Sequence, residues 1–156
     1  MIAIGCDHGG FELKGTVTKY LKDNNLEYKD FGCYAKDSCD YPEFGSAVAK
    51  AVASGECERG ILICTTGIGI SIAANKIRGI RCAVCSDTIS AKLTREHNNA
   101  NVLALGAGIV GPNLALSILD TFLHTAFSQE EKHQRRVAAI AQLEKETMKE
   151  CDDSQA

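Results

Sequence analysis

The sequence predicts a three-layer α/β/α sandwich built on a five-stranded, parallel, Rossmann-like sheet. Three observations lead there. Short apolar runs alternate with segments of helical period, the pair recurs five times in order, and glycine turns follow three of the runs, at Gly9-Gly10, Gly67 and Gly106. Runs that are apolar without alternation suit strands buried on both faces, which is how parallel sheets occur. The chain has 156 residues, enough for one domain with a sizeable core and too few for two. That domain is placed over residues 1–150, with 151–156 as a disordered tail.

The elements follow from residue patterns in chain order. Ile2–Cys6 is the first strand, closed by Asp7-His8-Gly9-Gly10. Leu13, Val17, Tyr20 and Leu21 then share one face of a helix, and Leu26–Phe31 reads as the second strand. Asp40-Tyr41-Pro42 opens a helix, with proline in its first turn and Ala47, Val48, Ala51 and Val52 inward. Ile61–Cys64 and Ile80–Cys85 are strands three and four. Ser86 and Asp87 cap a helix running to Arg95-Glu96-His97-Asn98. Val102–Leu105 is strand five. A long helix then carries Leu114, Ile118, Leu119, Phe122 and Leu123, and a charged one begins near Gln129.

Composition excludes several function classes. A formal net charge of −3 gives no general attraction to nucleic acid or to an anionic membrane. No apolar run approaches the roughly 20 residues needed to span a bilayer, and MIAIGCDHGG has neither a basic leader nor a small-residue cleavage pattern. A cytoplasmic location is expected. The eight cysteines form no zinc knuckle. Cys82 and Cys85 sit three apart on a strand and so face opposite sides of the sheet. Buried small hydrophobes in a reducing compartment are the reading for most of the eight, and neither metal nor cofactor is expected.

The chemistry gathers at ILICTTGIGISIAANK, Ile61 to Lys76. It lacks the P-loop lysine and the third glycine of a dinucleotide fingerprint. What is left is a turn ahead of a helix, which is either a tight turn alone or a cradle of N–H groups for a small anion. By position Cys64 is a core cysteine closing the strand. By chemistry, a helix N-terminus would lower its pKa and suit it to remove a proton beside a carbonyl. Doubly wound sheets bind ligands beyond the strand C-termini, where winding reverses, so DHGG and CTTGIG are expected side by side. His97 and the Gly106 loop are expected on the same rim, although a capping or surface role is the ordinary one for such a histidine. Lys132, His133, Arg135 and Arg136 read as a solvated helix face or as the cations that hold a phosphate.

Six blocks in register, GCDHGGFELK, DYPEF, ILICTTGIGISIAANK, GIRCAVCSD, REHNNANVLALG and EKHQRRV, resemble type B ribose-5-phosphate isomerase and its galactose-6-phosphate isomerase relatives. The resemblance spans the first strand to about Ile140. It implies metal-independent aldose–ketose isomerisation of a sugar phosphate through a cis-enediolate. It also implies a homodimer, possibly a tetramer, with active sites shared between subunits. In catalysis it implies Cys64 as base, Thr66 at the reacting oxygens and His97 in ring opening. For binding it implies an anion hole at Gly67, Ile68, Gly69 and Ser71, sugar contacts from Asp7, His8, Tyr41 and Asn98, and phosphate contacts from Lys132 and Arg136. Two positions depart from the family pattern: Thr65 stands where glycine is usual, and Gly108 where arginine often is. Those departures leave open a tetrose, pentose or hexose phosphate, a free sugar, or a module that binds without converting.

Overall fold

The structure, a computed structural model, describes residues 1–153. Five parallel strands, β1 (Ile2–Cys6), β2 (Tyr28–Asp30), β3 (Arg59–Cys64), β4 (Cys82–Val84) and β5 (Val102–Gly106), form one sheet in the order β2-β1-β3-β5-β4. The described residues form six α-helices, α1 (Phe11–Asp23), α2 (Tyr41–Ala53), α3 (Ile68–Ala74), α4 (Thr88–Asn98), α5 (Pro112–His124) and α6 (Glu131–Asp153). A 3-10 turn, His8–Gly10, links β1 to α1. Residues 154–156 of the tail lie outside the described residues.

Alternation along the central strands sorts the core into two layers. Ile4, Ile61, Ile63, Leu103 and Leu105 pack with α1 and α5 residues such as Val17, Ile118 and Phe122. Ala3, Leu62, Cys64 and Ala104 face Val48, Val52, Ile70 and Ala74 on α2 and α3. Burying each large aliphatic side chain contributes about 1.5–3 kcal/mol. The same alternation puts Cys82 against the α2/α3 layer and Cys85 in the other, so the two thiols diverge as their spacing requires.

The differences from expectation fall at element ends. β2 and β4 are three residues each, shorter than their apolar runs, because each is an edge strand with one neighbour. β3 starts at Arg59, which pairs with Ile2. α6 starts at Glu131 because Gln129 has φ +60°, outside the helical region. Ala47 is half-buried, and Ala49 takes its place in the core. Leu114 is 42% exposed, with Ala115 turned inward instead. No helix among the described residues is long and apolar enough to cross a membrane.

Candidate active site

The register brings three loops together at the C-terminal edge of the sheet. Cys64 pairs with Gly106, and Ile63 with Cys6. The Asp7 N–H donates to the Ile63 carbonyl at 3.1 Å, while Ala107 and Gly108 donate to the carbonyls of Cys64 and Thr65, each at 2.8 Å. The loops after β1, β3 and β5 are thereby laced to one another.

Within that edge the β3 loop is the best organised. Gly67 adopts φ +78°, and a Cβ there would lie 3.0 Å from the Leu105 carbonyl carbon, so only glycine is free of strain. The turn aims the Gly67 N–H at Cys64 Sγ, 3.0 Å away. Thr66 is exposed and its Oγ1 accepts from the Ile68 N–H at 3.2 Å. Ser71 is buried, its hydroxyl donating to the Ile68 carbonyl at 2.7 Å. The Tyr41 ring lies over Gly69, where a Cβ would come within 2.7 Å of Tyr41 Cζ. Cys64 is only 4% exposed.

Beside this loop, the Asp7 carboxylate caps the 3-10 turn, accepting the Gly10 N–H at 3.0 Å. His8 is exposed, and its Nδ1 accepts the Cys39 N–H at 3.3 Å, which leaves the proton of a neutral ring on Nε2. His8 and Gly9, with Leu13, Ala107, Val110 and Pro112, wall a cavity of about 500 Å³. Cys64 is not among its walls.

His97 and Asn98 lie elsewhere, which corrects the expectation that His97 shares the rim of the Gly106 loop. α4 runs antiparallel to the strands, and its C-terminal turn comes just before Val102 opens β5. It therefore sits at the N-terminal edge of the sheet, opposite Cys64. A helix that returns the chain between parallel strands must end at that edge. Asn98 is exposed there and lines a groove of about 520 Å³ with Arg81, Ile140 and Leu143. The His97 ring lies 4.3 Å from the His133 ring, which places the start of α6 at this edge as well. Lys132 is exposed and pairs with Glu130 at 2.8 Å, and Arg136 is exposed one turn on. One chain thus carries two separate groups, Asp7, His8, Tyr41, Cys64, Thr66, Gly67, Ile68, Gly69 and Ser71 at one edge and His97, Asn98, Lys132 and Arg136 at the other.

His133 was legible only as part of a charged run, yet it is 3% exposed and bonded through Nδ1 to Ser128 Oγ at 2.8 Å. Burial, with His97 adding to it, holds its imidazole below the usual histidine range. Lys14 was not singled out in the sequence. It is buried and donates to both Asp30 oxygens at 2.8 Å and to the Cys33 carbonyl at 2.7 Å, which anchors the loop leading to Cys39. Among the described residues no three His, Cys, Asp or Glu side chains converge as metal ligands would.

Known proteins share this architecture throughout. Residues 2–140 match the family model described as Ribose/Galactose Isomerase. The chain is 50% identical over 143 residues to ribose-5-phosphate isomerase B of Escherichia coli K12, covering 92% of this chain and 95% of that one. It is 44% identical over 127 residues to D-erythrulose-4-phosphate isomerase of Pectobacterium atrosepticum, covering 81% and 84%. A solved structure of Clostridium thermocellum ribose-5-phosphate isomerase B superimposes with a TM-score of 0.92 at 53% identity, covering 94% of this chain and 98% of that one. This chain belongs to the ribose/galactose isomerase family and is an isomerase.

Proposed function

We propose that this isomerase interconverts a small aldose phosphate and its ketose, with Cys64 moving the proton between C1 and C2. The reading is carried by one contact, the Gly67 N–H on Cys64 Sγ at 3.0 Å. A C–H beside a carbonyl is a weak acid, so the base needs help from groups that stabilise the enediolate oxygens. The first turn of α3 offers N–H groups without intrahelical partners, and Thr66 offers a hydroxyl held at the same loop. Such donors commonly supply about 3–4 kcal/mol in the transition state. Asp7 and His8, on the adjoining loop, bind the sugar hydroxyls.

The phosphate and the ring-opening step need the second group of residues. Because His97, Asn98, Lys132 and Arg136 stand at the far edge of the sheet, they serve a site formed with another copy of the chain, in a homodimer with two composite sites. α6 supports this: along its described length the side chains are mostly exposed, with Ile140 and Leu143 at 40% and 61%. A helix with so little of its own chain to pack against is suited to reach a neighbour.

Turnover of four-, five- and six-carbon aldose phosphates in deuterated water is the direct test. Solvent deuterium is expected on the reacting carbon, since a thiol exchanges its proton with water. Cys64→Ala is expected to lose at least about 10²–10⁴-fold in rate with its circular dichroism unchanged. Full retention of the substrate hydrogen, or an active Cys64→Ala, rules the mechanism out. The 4% exposure of Cys64 favours a second reading, binding without conversion; saturable binding with no turnover of any substrate in the panel would establish it.

A further inference from the structure

Thr65 stands where the three loops meet. Its backbone is tied to the β5 loop by the Gly108 N–H at 2.8 Å. Its side chain is flanked from both sides: a Cβ on Gly9 would lie 2.3 Å from Thr65 Oγ1, and one on Gly108 would lie 3.4 Å from Thr65 Cγ2. The γ-oxygen and γ-methyl therefore fill the gap between the β1 and β5 loops, directly above the end of β3. The residue is otherwise exposed. Its branched Cβ makes χ1 stiff, so the bulk does not swing aside.

What lies on either side of that gap gives it meaning. Cys64 packs in the α2/α3 layer. The 500 Å³ cavity lies on the other side, since its walls include Leu13 and Val110 of the α1/α5 layer. Thr65 is not itself a wall of that cavity, but its side chain abuts Gly9, which is one, and its carbonyl holds the loop that carries Ala107, another.

We propose that Thr65 sets the length of sugar chain that the site converts, closing the passage from the Cys64 sulfur to the cavity. A four-carbon chain is held at the thiol, while five- and six-carbon chains would have to run into the space that the Thr65 γ atoms occupy. The inference rests on Cys64 being the base. It makes Thr65 a specificity residue that acts by volume and takes no part in proton transfer.

The test compares kcat/KM for four-, five- and six-carbon aldose phosphates in the wild type, Thr65→Gly, Thr65→Ala and Thr65→Val. Wild type is expected to prefer the four-carbon chain. Removing the γ atoms should raise the five- to four-carbon ratio at least tenfold, the scale on which one buried methyl-sized group discriminates (about 10–200-fold). Valine, which keeps the volume and drops the hydroxyl, should restore the wild-type ratio. A ratio within about twofold of wild type in both Gly and Ala variants, a Val variant that shifts as far as Gly, or a wild type preferring the longer chains overturns the proposal. If the wild type converts no sugar phosphate, the reading of Cys64 fails and takes this inference with it. Cys64-dependent turnover with an unmoved ratio removes the Thr65 role alone.

Discussion

Gly67 shows how much of the proposed chemistry depends on one backbone angle. Its φ of +78° turns the chain so that its own N–H meets Cys64 Sγ. A Cβ at this position would meet the Leu105 carbonyl carbon at 3.0 Å as well as forcing an L side chain into a left-handed conformation. Gly67→Ala is therefore expected to cost about 1–3 kcal/mol, read as a lower urea midpoint, and to lower kcat, because relief of the strain moves the amide off the sulfur. A variant with unchanged midpoint and kcat would show that the turn tolerates a side chain. The glycine was legible in the sequence as a turn before a helix. Its contact with Cys64 was not, since a spacing of three residues says nothing of which way an N–H points.

At the scale of elements, α4 and α6 form a unit that no single segment predicts. The Asp87 N-cap, read correctly in the sequence, accepts the Ser90 N–H at 2.7 Å and starts α4. The other end of α4 meets α6 through the paired rings of His97 and His133. His133 faces Ser128, Glu130 and His97, with Lys132 and Arg136 nearby, and burial holds its pKa down. The folded protein therefore resists a proton that the unfolded chain accepts near the ordinary histidine value of about 6.5. Stability should fall as pH drops below that value, and the effect should be absent above it. Urea midpoints at pH 7.5 and 5.5 test this: His133→Gln should show a smaller drop between them than wild type. An equal drop would mean that His133 is not the group being titrated. The contact itself could not be read from the chain, because the thirty-five residues between the two rings include a strand and a helix whose packing decides where α6 begins.

The whole molecule divides its candidate site residues between opposite edges of one sheet, and this division makes a prediction about mixtures. If each site takes Cys64 from one subunit and His97 from the other, Cys64→Ala and His97→Ala proteins are each inactive. Unfolded and refolded together in equal amounts, they should recover about a quarter of wild-type activity, since half the dimers are mixed and one of two sites in each is intact. No recovery, with mixed dimers present by mass spectrometry, would refute the shared site. The sequence by itself determined the five strands, the buried character of the three central ones, the β1–β3 neighbourhood and the meeting of DHGG with CTTGIG, because apolar runs and glycine turns are local signals and parallel winding leaves few arrangements. It also carried the family, since six blocks in register are a property of residue order. Only the tertiary structure decided that the Thr65 side chain lies between the β1 and β5 loops, and that the His97 ring meets His133 at the edge away from Cys64. Both depend on direction in space: a helix returning between parallel strands must end where the next strand begins, and a side chain fills whichever gap the neighbouring loops leave to it.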